Sequence, residues 1–145
     1  MFLQRKGEYE LAWEQIDQAY TESKKKIFSI ANTHAIIMFE KNMSNKVNSG
    51  TDSTLLKSTI EKSFATLEYC ITQDVRVNYH VLTYSRNAVR YYEKFGSDEY
   101  TAQYINSALK QLETILSSGE YIFRGTLKEL MNLKKELLEI KEIIG

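Results

Sequence analysis

The feature that most constrains this chain is the absence of proline from all 145 residues. Proline breaks helices from within, and glycine is the other residue that commonly ends them. Only six glycines are present, and the four well inside the chain are Gly50, Gly96, Gly119 and Gly125. They separate long stretches without a breaker, and this pattern predicts an all-α fold.

The apolar periodicity and the turn residues together predict six helices. Polar and small residues at 44–52 form the only convincing long loop, and short connections elsewhere favour antiparallel neighbours. We therefore expect a single domain over residues 1–145, built as about three stacked antiparallel hairpins. The predicted helices are about Gly7–Ser23, Ile27–Met43, Ser53–Gln73, Val75–Phe95, Ser97–Gly119 and Thr126–Ile144.

Three of the helix starts carry capping signals, and at the third helix the cap is Asp52 or Ser53. Ser97 is placed to cap the fifth helix, with Asp98 and Glu99 in its first turn. Thr126 and Glu129 have the T-x-x-E spacing of a capping box at the start of the last helix.

Composition excludes several classes of protein. Hydrophobic residues make up 43% of the chain and charged residues 26%, which is enough for a core and a solvated surface. The 19 basic and 19 acidic residues cancel, so we expect no nucleic-acid partner. The longest apolar run is AIIMF, too short to span a bilayer, and no secretory signal opens the chain. Together with the single cysteine, Cys70, these features predict a cytoplasmic protein without a membrane segment.

Three of the predicted helices share an apolar stripe with steps of three, four and three residues. The second position of each stripe is small, at Ala12, Ser63 and Ala108. A small residue in mid-stripe lets a neighbouring helix approach closely, so its recurrence in alternate helices indicates a repeated hairpin. The stripes are Tyr9–Ala12–Ile16–Ala19, Ile60–Ser63–Leu67–Cys70 and Ile105–Ala108–Leu112–Ile115.

The first stripe, with the glycine before it, resembles the second helix of a tetratricopeptide (TPR) repeat. Gly7, Tyr9, Ala12, Ile16 and Ala19 match the glycine, aromatic and small-residue positions of that helix. The following segment ANTHAIIMF resembles the start of the next repeat's first helix.

Later parts of the chain carry the resemblance with irregular spacing. Ala35 and Ser85 occupy the family's small-residue position in the first helices of two hairpins. Ala12 and Ser63 are 51 positions apart and Ser63 and Ala108 are 45 apart, whereas the family period is roughly 34 residues. Residues 79–116 also resemble, more loosely, the C-terminal helical repeat region of STAND-type NTPases and related bacterial defence proteins.

The resemblance implies a non-catalytic scaffold or sensor module that binds a peptide or protein on a concave helical surface. Residues 1–5 are too few to supply a helix that pairs with the first one. We therefore expect the chain to be part of, or derived from, a longer repeat array. The alternative function is an oligomerisation or regulatory segment of a larger NTPase-type multidomain protein.

The fourth helix carries the candidate partner-binding residues. His80, Tyr84, Asn87 and Tyr91 share one face, either as inter-helix packing or as a groove that presents aromatic and amide groups. A basic stripe that begins at Arg86 follows another side of this helix, either as a solvated face or as a site for an acidic peptide. The candidate residues are His80, Tyr84, Asn87, Arg90, Tyr91 and Lys94.

No residue pattern indicates catalysis, a cofactor or a metal. His34 and His80 are isolated from other metal ligands, and the stripe position of Cys70 predicts a buried, inert thiol. Arg76 and His80 resemble the catalytic pair of helical HEPN ribonucleases. That family has four residues between the pair and this chain has three, which rotates the pair by roughly 100° on a helix. An HEPN-like ribonuclease is therefore only the third alternative for the function.

The last helix has a heptad-like apolar seam of five residues, widened by three more. The additional apolar positions favour packing on two sides, and we expect this helix to cap the stack by packing on the preceding hairpin. The alternative is a homodimer through the last or the first helix. The seam residues are Leu130, Leu133, Leu137, Ile140 and Ile144, and the additional ones are Met131, Leu138 and Ile143.

Overall fold

The fold is taken from a computed structural model, which describes residues 11–12, 14–16, 18, 28–44, 53–73 and 77–145. The chain divides into two compact units, Met1–Val75 and Arg76–Gly145, and each is described here by itself. Every described residue outside the connections between helices is helical. None of them lies in a strand, which confirms the all-α class. A single domain and a TPR-like array over residues 1–145 stay predictions.

The first unit contains a packed pair of helices. We give the name α1 to the helical residues 11, 12, 14–16 and 18; α2 is Phe28–Met43 and α3 is Ser53–Gln73. Helix α2 packs against α3, where the rings of Phe39 and Phe64 meet edge to face at 5.8 Å between centroids. The Cys70 thiol is buried and donates to the Phe28 carbonyl oxygen at 3.9 Å. The Cys70 contact joins the start of α2 to the end of α3, as an antiparallel pair requires.

The α3 stripe forms part of the core of this unit. Ile60, Ser63, Leu67 and Cys70 are all fully buried. The Ser63 hydroxyl donates to the Ile60 carbonyl oxygen at 2.7 Å, so the small polar residue of the stripe is satisfied within its own helix. Of the first stripe, Ala12 is fully buried, whereas Tyr9 and Ala19 lie outside the described residues.

The second unit is built from three helices. They are α4 (Val77–Phe95), α5 (Thr101–Leu116) and α6 (Arg124–Ile144), and each contacts the other two. The third stripe, Ile105–Ala108–Leu112–Ile115, is buried along its whole length. Its small residue Ala108 has no exposed surface, as expected where a neighbouring helix comes close.

The turn between α4 and α5 corrects the predicted cap. The fifth helix begins at Thr101, so Ser97 lies too far upstream to cap it. Asp98 Oδ1 instead accepts hydrogen bonds from the backbone N–H groups of Tyr100 at 2.8 Å and Thr101 at 3.0 Å. Asp98 Oδ2 accepts a further hydrogen bond from the Tyr91 hydroxyl at 2.8 Å. One carboxylate therefore accepts hydrogen bonds from the backbone at the start of α5 and from a buried side chain of α4.

The predicted capping box of the last helix is also wrong. Helix α6 begins at Arg124, Phe123 occupies the N-cap, and no side chain caps this end. Because the helix starts earlier, Thr126 lies inside its first turn and Glu129 lies in its second turn. Glu129 therefore forms an ion pair with Arg86 of α4 instead of a capping bond.

Within the described residues, no helix combines the length and apolar character that a membrane span requires.

The close approach at Ala108 can be tested by enlarging the side chain. Ala108→Leu should lower the free energy of unfolding by about 1–3 kcal/mol, because added atoms must displace packed neighbours. Ala102→Leu is the matched control, since Ala102 lies on the same helix but is exposed. Urea denaturation should show a large effect for Ala108→Leu alone, and equal effects would contradict close packing at this position.

The capping role of Asp98 predicts a second stability effect. Asp98→Ala should cost about 1–3 kcal/mol, because two backbone N–H groups and the Tyr91 hydroxyl lose their acceptor. Its exposed neighbour Glu99 supplies the control variant Glu99→Ala. Thermal unfolding should show a lower melting temperature for Asp98→Ala than for the control, and matching temperatures would refute the role.

Glu68 predicts a pH-dependent effect in the first unit. Burial raises the pKa of the Glu68 carboxyl because it penalises the charged form. The folded state therefore binds this proton more tightly than the unfolded chain does. The contribution of Glu68 to stability falls as pH rises from the unfolded to the folded pKa.

Glu68→Gln should accordingly raise the free energy of unfolding at pH 7. It should have little effect near pH 3, where the carboxyl is protonated in both states. Urea denaturation at the two pH values measures the difference, and an identical effect at both would show that charge is not the cause.

Candidate functional site

The structure places most of the predicted partner-binding residues in the interior. His80, Tyr84 and Tyr91 have no exposed surface, and Asn87 is 6% exposed. Arg90 and Lys94 are half-buried. A partner could contact the buried side chains only after the unit had opened. A partner-binding role for the six predicted residues stays a prediction.

Tyr91 shows how this face is used within the unit. Its ring meets Tyr104 of α5 edge to face at 5.1 Å and lies 4.7 Å from the ring of Phe95, between centroids. Its hydroxyl donates to Asp98, and burial together with this carboxylate raises the pKa of the Tyr91 phenol. Tyr91 therefore acts as a packing side chain that also supports the turn between α4 and α5.

Two members of the basic stripe make contacts inside the second unit. Arg86 forms its ion pair with Glu129 of α6. The Lys94 ammonium lies 5.8 Å from the centroid of the Phe95 ring, within cation–π range. These contacts engage Arg86 and Lys94 with other side chains of the same unit.

Helix α6 provides a different surface, because it is apolar on two sides. Its buried side carries Leu130, Leu137 and Ile140. Met131 and Leu138 point away from that side and are 57% and 48% exposed. The packing of the unit thus covers only one apolar face of this helix.

The second face forms the floor of an open groove of about 570 Å³. Its apolar lining comes from the end of α5 and from successive turns of α6, and its charged lining comes from α6 alone. The apolar residues are Leu116, Leu127, Met131 and Leu138, and the charged ones are Lys134, Lys135, Glu139 and Glu142. We refer to this surface as the α6 groove.

Charge is ordered along the α6 groove. Lys134 and Lys135 lie between Met131 and Leu138, and Glu139 and Glu142 follow Leu138. Met131 and Leu138 are separated by seven residues, or about 10.5 Å along the helix axis. In the described part of the chain, no carboxylate forms an ion pair with either lysine.

Exposed aromatic side chains lie directly before α6. Tyr121 and Phe123 are 82% and 73% exposed, and their rings meet at 6.2 Å between centroids. The connection between α5 and α6 therefore adds exposed apolar surface directly before the first turn of α6.

Sequence reasoning assigned Met131, Leu138 and Ile143 to packing, and it singled out neither the aromatic pair nor Leu116. The breadth of the apolar surface on α6 was the available signal, and it was interpreted as packing on two sides. Apolar residues on α6 cover more of its circumference than the roughly 100° stripe that one core requires. The excess indicates a second apolar face, although it cannot say which face the unit buries.

Among the described residues, no group of three or more His, Cys, Asp or Glu side chains is placed to hold a metal ion. In comparisons with known proteins, no family model, no curated protein and no solved structure matches this chain.

Proposed function

We propose that this chain is a non-catalytic helical module that binds a protein or peptide, and that the α6 groove is its binding surface. The observation that carries the proposal is the exposure of Met131 and Leu138 on the floor of a groove. Large contiguous apolar patches are uncommon on the surfaces of monomeric proteins, and where they occur they often mark interaction sites.

The composition of the groove supports this function. Apolar side chains lie at the centre of a typical protein interface and charged side chains lie at its rim. Leu127, Met131 and Leu138 supply such a centre, and the lysines and glutamates beside them supply the rim. Unbranched methionine also adapts its shape to different partners.

The elongated shape of the groove favours a helical or extended segment as the bound element. An amphipathic helix recognised in this way inserts side chains at intervals of three, four or seven residues. The apolar residues of α6 recur at four and seven positions, from Leu127 to Met131 and from Met131 to Leu138. The two patterns have matching periods because both follow the α-helical repeat.

The TPR resemblance adds a scaffold or sensor role to this proposal, and we propose that the chain derives from a longer helical array. Cys70 is buried, and a single buried thiol suits the reducing cytoplasm that we propose as its location. His80, the residue needed for a HEPN-like nuclease, is fully buried, and Arg76 lies outside the described residues. The binding function therefore has the stronger support.

A charge introduced into the groove floor tests the proposal. Leu138→Glu should abolish capture of the natural partner, because it places a carboxylate in the centre of the apolar contact. Ile143→Glu is the matched control, since Ile143 is an exposed apolar residue of α6 outside the groove lining. Partner capture from cell extract, quantified by mass spectrometry, should lose specific proteins with Leu138→Glu and retain them with Ile143→Glu.

Circular dichroism and thermal unfolding of both variants should match the wild-type chain, since both side chains are about half exposed or more. If no protein is lost selectively with folded Leu138→Glu, the α6 groove is not the binding surface.

A further inference from the structure

We infer that the partner of the α6 groove is an amphipathic helix with acidic side chains between two apolar anchors seven residues apart. This inference rests on the proposed function and names the chemistry of the bound segment. Three features carry it: the spacing of the apolar floor, the lysines within that spacing, and the poor fit of a second copy of α6.

The spacing sets the positions of the anchors. Met131 and Leu138 lie two helical turns apart. A helix laid along the groove presents side chains at i and i+7 over the same distance of about 10.5 Å. Apolar residues at those two positions can therefore contact Met131 and Leu138 together.

The lysines set the charge of the residues between the anchors. Lys134 and Lys135 occupy the middle of the interval, and Lys134 is already half-buried. In the partner helix, residues i+3 and i+4 lie on the same face as the anchors, at the position along the groove where Lys134 and Lys135 lie. A bound helix removes water from the lysines, and an apolar or basic residue there would leave that loss uncompensated. Carboxylates at i+3 and i+4 supply the missing ion pairs.

A second copy of α6 does not meet this requirement. An antiparallel pairing that sets Met131 against Leu138 of the other copy also sets Lys134 against Lys135. A parallel pairing in register sets each lysine against itself. Both self-pairings that cover the apolar floor therefore bring like charges together, which disfavours them.

The glutamates give the bound helix a direction. Glu139 and Glu142 follow Leu138, and neither forms an ion pair in the described part of the chain. A basic side chain just beyond the anchor that contacts Leu138 would pair with them. The complementary helix thus has its acidic residues between the anchors and a basic residue beyond one anchor.

The experiment uses the full chain and three fluorescent helical peptides of roughly 15 residues, a length at which a peptide helix is marginally stable. The peptides have leucine at i and i+7 and differ only at i+3 and i+4, which are both Glu, both Gln or both Lys. Fluorescence anisotropy at low and high salt measures their affinities for the wild-type chain.

The Glu peptide should bind about tenfold more tightly than the Lys peptide, and added salt should reduce this difference. The double variant Lys134→Glu/Lys135→Glu should reverse the order of the peptides. The matched double variant Lys128→Glu/Lys141→Glu reverses two exposed charges of α6 outside the groove lining. It should retain the wild-type order.

Equal affinities, or tighter binding of the Lys peptide to the wild-type chain, would overturn the inference. Light scattering provides a further arm, because a dimer that Leu138→Glu converts to monomer would assign the groove to a second copy. If the Glu peptide fails to bind while Leu138→Glu still loses a captured partner, the inference fails and the proposed function stands. If Leu138→Glu loses no partner either, both fail.

Discussion

The arrangement of the second unit depends on the burial of one side of α6. Leu130, Leu137 and Ile140 have at most 6% of their surface exposed, and the helix contacts both α4 and α5. Apolar burial contributes about 25 cal/mol for each Å² removed from water, so these side chains determine the rotation of α6 about its axis. That rotation leaves Met131 and Leu138 facing solvent. The groove is thus a consequence of core packing on a helix with more apolar residues than one core can cover.

Small residues set how closely the other helices approach. Ser63 in α3 and Ala108 in α5 are fully buried within their stripes. The Ser63 hydroxyl bonds to its own helix, so burying this polar group leaves no unpaired donor. Both stripes therefore bury a small residue at their second position without leaving a side-chain donor unpaired.

The α4 face that the sequence marked as a candidate site shows why aromatic and polar clustering is ambiguous. Tyr91 buries its ring against Tyr104 and donates its hydroxyl to Asp98. A sequence does not distinguish a tyrosine that supports a turn from a tyrosine that binds a partner. The position of α5 distinguishes them, because α5 supplies Tyr104, which the Tyr91 ring contacts, and Asp98 precedes its first turn.

The sequence by itself determined the helical class, the limits of α2 to α6 to within a few residues, and the buried stripes of α3 and α5. These features follow from local rules: the absence of proline, the glycine positions and the 3.6-residue period. The tertiary structure decided the hydrogen bond between Tyr91 and Asp98, the pairing of Glu129 with Arg86, and the exposure of Met131 and Leu138. Each of these depends on where a second helix lies, and such distant contacts are not encoded in the spacing of residues along one helix.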